Sequence, residues 1–251
     1  LAHQRPALVV AVPGMHPVGL ATGLQQAVQL SQGTELSLPE SVSATVSGFY
    51  HHYSDLTDLT ATCSAGVPDC TIDDRSDGRA WGLEVLLQRP LSHRVGGAVS
   101  YTLSRSERLV GDQVFTADFD RTHVVNAAIG IDLGHQWNAG ARLTIYSGRP
   151  HSLIAFDDPS EPNHATLIGQ RNTLRRPSFH RLDLRLEKRW VIAERGWISL
   201  VLEGFNVTLQ KEIVDFDCRV AEVLGSQAGL RCGGQEVGPI SIPSIGISGG
   251  I

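Results

Sequence analysis

The sequence lacks any apolar run of about 18 residues, the length that a membrane-spanning helix needs. It also lacks an excess of positive charge, since 21 Lys and Arg stand against 26 Asp and Glu and the net charge is −5. The HExxH, GxSxG and P-loop patterns are absent as well. These absences exclude a helical membrane protein, give no sign of a nucleic-acid partner and leave no catalytic set to predict.

The N-terminus lacks the features of a signal peptide. The opening LAHQRPALVVAVPGMHP has no charged start, and its short apolar run from Ala7 to Val12 ends at Pro13. The chain also has no initiator Met, so we expect a mature product or a portion of a longer polypeptide.

Cysteine is scarce, with four residues in two local pairs. Cys63 and Cys70 flank one polar segment, and Cys218 and Cys232 flank another. Neither spacing is the CxxC of a metal site, so two disulfides in an oxidising compartment are predicted. Four unpaired thiols are the alternative.

The sequence is rich in segments whose apolar residues fall on every second position. In residues 76–107, apolar side chains recur at odd positions from Trp81 to Leu87 and mostly so from Val95 to Leu103. A period of two predicts β-strands, and the short break between these segments predicts a hairpin.

The alternation predicts nine strands, each of about 10 residues, a length that suits a tilted membrane crossing. The strands lie near residues 24–30, 44–50, 81–88, 95–104, 125–133, 137–145, 181–190, 197–207 and 245–251. Short connections are expected near 37–42, 91–94, 134–136 and 192–196, and long ones near 55–78, 105–121, 149–177 and 209–241. Short turns at one end and long loops at the other are typical of an outer-membrane β-barrel.

Two further patterns favour lipid over a protein core as the surroundings of the apolar face. Residues 181–189 alternate five charged side chains with leucine and lysine, and that row of charge suits a wet lumen better than a packed core. The four tryptophans fall where strands meet turns or loops, as in an aromatic girdle. They are Trp81, Trp137, Trp190 and Trp197. Ordinary strand-end aromatics in a soluble β-sandwich are the alternative.

The sequence therefore predicts an all-β fold, an antiparallel transmembrane β-barrel with short periplasmic turns and long extracellular loops. The first and ninth strands would run in the same direction, whereas bacterial barrels close with an even number of antiparallel strands. We therefore expect residues 1–251 to be the C-terminal portion of a larger barrel, with residues 1–20 in an extracellular loop. A further strand in residues 6–12 would allow a small closed barrel, but Pro6 and Pro13 argue against it.

Most of the chain, from about residue 18 onward, resembles the C-terminal barrel of TonB-dependent outer-membrane receptors. The segments that carry the resemblance are GRAWGLEVLLQRPLSHRVGGAVSYTLSRSER, FTADFDRTHVVNAAIGIDLG, ARLTIYSGRP, RRPSFHRLDLRLEKRW, LVLEGFNVT and PSIGISGGI. The resemblance implies about nine strands of a 22-stranded barrel in the bacterial outer membrane. It also implies an N-terminal plug domain, which these residues do not include.

The resemblance further implies uptake of a scarce ligand, such as an iron–siderophore, cobalamin or a sugar, with energy from the inner-membrane TonB complex. Ligand contacts would come from the plug and from loops 149–177 and 209–241. The barrel assembly machinery reads a C-terminal aromatic residue in this family, whereas this chain ends at Ile251. No cofactor is implied.

Six charged residues are predicted to face the lumen and to contact the plug. They are Glu84, Arg142, Arg181, Asp183, Arg185 and Glu187. No metal site is predicted, because His51 and His52 point to opposite faces of a strand. The acidic residues at 73, 74 and 77 suit a solvated loop better than a Ca²⁺ site.

Asp118 and Asp120 are close enough in sequence to pair with Arg121, and the resemblance implies a structural role for them at the barrel rim. Three other functions remain as alternatives: a small passive porin, a soluble β-sandwich adhesin, and an outer-membrane hydrolase. The hydrolase would need Asp120, His123 and His151 to meet at the long-loop rim.

Overall fold

The structure is a computed structural model of the 251-residue chain. It describes residues 2–4, 24–57, 75–91, 94–156, 165–168, 170–192, 196–223 and 227–250. Within this part of the chain no helix is long and apolar enough to span a membrane.

Strands make up nearly all of the described chain. In chain order they are β1 (Ala2–Gln4), β2 (Gln25–Leu38), β3 (Val42–Thr57), β4 (Arg75–Arg89), β5 (Val95–Val110), β6 (Gln113–Thr116), β7 (His123–Gly134), β8 (Trp137–Tyr146), β9 (Pro150–His151), β10 (Leu153–Phe156), β11 (Ala165–Ile168), β12 (Leu174–Arg175), β13 (Phe179–Ile192), β14 (Gly196–Phe205), β15 (Glu212–Val223), β16 (Gln227–Val237) and β17 (Ile242–Gly250). A 3₁₀ turn, Pro39–Ser41, connects β2 to β3.

One antiparallel sheet of eleven strands contains most of these elements, in the order β1-β2-β3-β4-β5-β7-β8-β13-β14-β17, with β6 paired to β5. Apart from the short β1 and β6, its members are the nine strands that the sequence predicts. Several extend further than expected, since β3 continues to Thr57 and β5 to Val110. Residues 2–4, which were expected to belong to an extracellular loop, form a short strand that pairs with the beginning of β2.

The short connections form tight turns at one end of the sheet. Between β7 and β8 the chain reverses through Gly134, His135 and Gln136, all with positive φ angles. Glu40 and Ser41 take the same left-handed conformation between β2 and β3. Turns this short force sequential strands to be antiparallel neighbours, so chain order becomes strand order over much of the sheet.

The long connections contain strands of their own. The segment from 206 to 241 holds the hairpin β15–β16, and β15 joins β10 and β11 in a second, four-stranded sheet. The small pair β9–β12 lies within the connection between β8 and β13. The sequence predicted these segments only as loops, because their alternation is irregular.

The large sheet has one apolar and one polar face but almost no core. Among the described residues the buried apolar side chains are Ala44, Ala117 and Val201. In contrast, Leu30 is 68% exposed and Ile245 is 75% exposed, although both lie in the middle of strands. The apolar face is therefore not covered by any other described part of this chain.

Candidate functional site

The polar face of the sheet carries all six residues that were predicted to face a lumen. Arg142 lies directly between Asp183 and Ala128 on the neighbouring strands. The same cross-strand row continues from Ala128 to Ala98 and then to Gln88. Gln88 and Glu84 are four residues apart on β4, so their side chains lie on the same face. The remaining four alternate along β13: Arg181, Asp183, Arg185 and Glu187.

Charges of opposite sign are paired along β13 and β14. Arg185 donates from Nη1 to Glu203 Oε1 at 2.5 Å and from Nη2 to Glu187 Oε2 at 3.2 Å. Arg189 reaches the other oxygen of Glu187 at 3.4 Å. Arg181 lies 3.1 Å from Asp183 and places its guanidinium 4.1 Å from the centre of the Phe205 ring. A wall of half-exposed, mutually paired charges suits contact with water or with a polar partner that can be released.

Asp183 also fixes the end of β14. One of its carboxylate oxygens accepts the backbone N–H of Asn206 at 2.9 Å. The Asn206 side chain donates to the carbonyls of Gln210 and Ile240 at 2.9 and 3.1 Å. Asn206 is 3% exposed and has a φ of 51°, so it is a structural turn residue at the start of the long connection to β17.

Three of the four tryptophans lie on the apolar face. Trp81 is in register with Tyr50, and Trp190 is in register with Ile198. Lys188 lies between Trp137 and Trp190, with its ammonium 5.3 and 5.9 Å from the two ring centres. Lys188 donates to the carbonyl oxygen of His135 at 2.6 Å, so its charge is held at the turn.

Trp197 differs from the girdle prediction. It pairs with Val191, which is in phase with Glu187 and Arg189 on the polar face. The Arg189 guanidinium lies 4.3 Å from its ring centre. All four tryptophans lie at strand ends. The alternation of side chains along β14, however, places Trp197 on the polar face.

A second polar cluster lies at the long-loop end, where the loop after β8 meets the segment after β6. The Asp120 side chain is 1% exposed and accepts three hydrogen bonds: from the Ser106 backbone at 2.6 Å, from Thr122 Oγ1 at 3.2 Å and from Arg175 Nη2 at 2.5 Å. Asp118 accepts hydrogen bonds from Arg171 and Asn172. These partners differ from the pairing with Arg121 that the sequence allowed.

Arg121 instead lies 3.5 Å from Glu212 and stacks on Tyr146, 3.6 Å from the ring centre. The role of loop residues 171–176 was not predicted from the sequence. Nothing in a polar loop sequence indicates which of its side chains contact residues about 50 positions earlier in the chain. Gly148 is packed against the Arg176 carbonyl and leaves no room for a Cβ. This close approach brings the Arg175 guanidinium to the Gly148 carbonyl oxygen, at 3.2 Å.

His151 lies above this cluster, against the ring of Phe216 at 5.3 Å between centres. Burial lowers the pKa of His151 below its ordinary value, and the positive charge of Arg176 lowers it further, while Asp215 acts in the opposite direction. Arg176 is itself 3.1 Å from Asp215. A polar cavity of about 320 Å³ lies beside the foot of the β15–β16 hairpin, bounded by Glu212 and by the Lys211–Glu236 ion pair.

In the described residues the three side chains of the hydrolase alternative form no hydrogen bond with one another. Asp120 is paired with Arg175, and His151 contacts Phe216. His123 lies with its Nδ1 2.9 Å from the Tyr101 hydroxyl, on the apolar face. Within the described ranges no group of three or more His, Cys, Asp or Glu side chains could hold a metal ion. His51 contacts Phe49 and Tyr53.

Cys218 and Cys232 are directly opposite each other in the β15–β16 register. Cys232 is disulfide-bonded. Cys63, Cys70 and the acidic residues at 73 and 74 lie outside the described residues.

Comparisons with known proteins give a structural match and no sequence match. No protein-family model matches the sequence, and neither does any curated protein. Among solved structures, the chain is similar to the ferric citrate transporter FecA in its unliganded form, with a TM-score of 0.56 and 16% sequence identity. The alignment covers 90% of this chain and 31% of that chain. The chain thus has the all-β, antiparallel, barrel-type fold and spans about a third of the length of the protein that it matches.

Proposed function

We propose that the chain is the C-terminal part of the barrel of a TonB-dependent receptor in the bacterial outer membrane. One observation carries the proposal: a single antiparallel sheet exposes an apolar face on one side and a paired, charged face on the other. That division suits a wall with lipid outside and a wet lumen inside.

The exposed apolar face favours a membrane over a soluble β-sandwich. A sandwich buries the apolar sides of two sheets against each other, about 10 Å apart. Here Leu30, Leu184, Leu202 and Ile245 are all more than 40% exposed. A contiguous apolar surface of this size is not tolerated in water, and lipid covers it without a second protein layer.

The edges of the sheet favour a portion of a larger barrel over a small porin. In the described residues β17 pairs with β14 alone, and the other edge of the sheet is formed by β2 with the three-residue β1. β2 and β17 both run from the long-loop end to the turn end, so they cannot close the sheet with antiparallel pairing, and β1 is too short to form a membrane-crossing strand between them. Further strands of a longer polypeptide would then complete the wall.

Uptake of a scarce ligand follows from the same proposal. FecA is a ferric citrate transporter, and we extend only the general role of ligand uptake to this chain. The charged face of β13 and β14 would contact the plug domain, which couples to the inner-membrane TonB complex. The loops near His151 and the β15–β16 hairpin would contribute to the ligand site, and no catalytic step is proposed.

The proposal is tested on the native polypeptide from the outer-membrane fraction, by denaturing gel electrophoresis with and without heating and by intact mass. We expect a product about three times the length of this chain, whose mobility shifts on heating as folded barrels do. A heat-shifting product of about 251 residues would instead indicate a small closed barrel.

Transport is tested in cells that carry or lack the gene. We expect growth on a panel of ferric chelates, cobalamin or oligosaccharides as limiting nutrients to require both the gene and an intact TonB complex. Growth that depends on the gene but not on TonB would indicate passive diffusion and contradict the receptor proposal.

A further inference from the structure

The apolar face is interrupted by a groove of about 450 Å³ that crosses β5, β7 and β8. Two adjacent cross-strand rows form it. The first runs Leu87, Val99, Ala127, Leu143, Leu182, and the second runs Arg89, Gly97, Ile129, Ala141, Leu184. The groove follows the smallest side chains of these rows, Gly97, Ala127 and Ala141, between larger neighbours.

One end of the groove carries a charge. Arg89 is the last residue of β4, next to the turn, and its side chain is on the apolar face in register with Gly97. Because Gly97 has no side chain, nothing in that row separates the guanidinium from the groove. Arg89 Nε is buried without a hydrogen-bond partner among the described residues.

The one ion pair of Arg89 does not satisfy this guanidinium. Its Nη2 lies 3.4 Å from Glu40, whose side chain is 75% exposed. A single pair at such an exposed position contributes little, and it leaves the other N–H donors available. The Arg89 side chain is 34% exposed, and its buried Nε stays without a partner in the described part of the chain, so an anion at the edge of the apolar face would complete its hydrogen bonding.

We propose that this groove binds one phospholipid, with an acyl chain over Gly97, Ala127 and Ala141 and the phosphate on Arg89. Arginine matches phosphate with two parallel charge-assisted hydrogen bonds. Basic side chains near a membrane surface attract anionic headgroups, and Arg89 is the last residue of β4, at the turn end of the sheet. From β4 to β13 the rows cross four strand spacings, about 19 Å along the sheet, which is longer than the half-thickness of a bilayer core of about 15 Å, so an acyl chain of one leaflet fits along them.

The inference depends on the proposed membrane location. It adds a specific lipid site to a surface that otherwise meets bulk lipid. The short-turn end faces the periplasm in that proposal, so the site would take a phospholipid of the inner leaflet.

The test uses the full native polypeptide, extracted in mild detergent and examined by native mass spectrometry and lipid extraction. The delipidated protein is then titrated with dioleoylphosphatidylglycerol, with dioleoylglycerol, which lacks the phosphate, and with inorganic phosphate. We expect one retained phospholipid and saturable binding of the phosphatidylglycerol alone.

Two variants address the two parts of the site. Arg89→Gln removes the charge and should weaken phosphatidylglycerol binding by about tenfold, as expected for the loss of a hydrogen bond to a charged group. Ala141→Leu fills the groove and should weaken binding at least as much. The matched control for Arg89→Gln is Arg79→Gln, on the same face of β4. The matched control for Ala141→Leu is Ala139→Leu, two residues earlier on the same face of β8 and outside the groove.

The inference would be overturned if dioleoylglycerol bound as tightly as dioleoylphosphatidylglycerol. It would also be overturned if neither Arg89→Gln nor Ala141→Leu changed the affinity, because both results indicate contact with bulk lipid. Competition by inorganic phosphate at similar concentrations would indicate a free-anion site and would also overturn it. Heat-shift electrophoresis of the wild type and of every variant distinguishes failure of the lipid site from failure of the membrane proposal. If the membrane proposal fails, the wild-type protein itself will not behave as a folded barrel.

Discussion

At the scale of single residues, the long-loop end is organised by one buried carboxylate. Asp120 connects three segments that are distant in sequence, because it accepts hydrogen bonds from Ser106, Thr122 and Arg175. A carboxylate accepts hydrogen bonds at two oxygens, whereas an amide has one acceptor oxygen and an alkyl side chain has none. Its loss leaves a backbone N–H and a guanidinium without their partner.

We expect Asp120→Ala to lower the free energy of unfolding by about 2 to 4 kcal/mol, the usual cost of unpairing buried charged groups. Asp118→Ala is the matched control, since that side chain is 44% exposed, and it should cost much less. The unfolding free energies of both variants are measured by urea titration in detergent, with the folded fraction read from the heat-shifted gel band. Equal effects would show that burial of Asp120 is not what stabilises the loop.

His151 gives the loop end a dependence on pH. Burial, with Arg176 nearby, lowers the pKa of His151 in the folded protein, whereas an unfolded histidine has a pKa of about 6.5. As the pH falls below that value the unfolded state takes up the proton first, so the folded state loses stability. Above it, both states are neutral and the effect vanishes.

We therefore expect the wild-type loop to lose more stability than His151→Gln when the pH is lowered from about 7 to below the unfolded histidine value. Proteolysis of the long loops as a function of pH measures this difference. Parallel curves for the two proteins would show that His151 does not couple to folding.

At the scale of elements, the hairpin β15–β16 lies outside the large sheet. In the part of the chain that the structure describes, β10 joins it through one parallel pair with β15. An extended hairpin with few packed neighbours is marginal in water. A covalent link between its strands would limit the unfolded conformations of the loop.

We expect Cys218 and Cys232 to be linked to each other, and Cys63 to Cys70. Digestion without reduction, followed by mass spectrometry, should yield these two cross-linked peptides and no alkylated cysteine. Cys232→Ser should make loop 209–241 more sensitive to protease while leaving the heat shift of the barrel intact. Free thiols at 218 and 232 in the native protein would contradict the pairing.

At the scale of the whole molecule, the two faces of the sheet should respond differently to charge. Leu184 is on the apolar face in the middle of β13, in register with Ala141 and Gly204. Asn126 lies at mid-strand on the polar face, in register with Ser100 and Thr144. An arginine at the first site would meet lipid, and one at the second would meet water.

We expect Leu184→Arg to destabilise the membrane-inserted protein by about 2 to 4 kcal/mol, the cost of arginine at the midplane of a bilayer. Asn126→Arg should change the stability by less than about 1 kcal/mol. Folding titrations into lipid vesicles measure both. Equal costs, or a wild-type protein that stays in solution without detergent, would contradict the membrane assignment.

The sequence by itself determined the nine long strands, their antiparallel order and the two unlike faces. Period-two alternation fixes which side chains share a face, and turns such as 134–136 leave no choice of neighbour. The charged row from Arg181 to Glu187 was predictable for this reason. Only the tertiary structure decided the partners of Asp118 and Asp120, the strands inside the long loops and the groove beside Arg89. Each depends on register or on contacts between segments tens of residues apart, and no local pattern encodes those contacts.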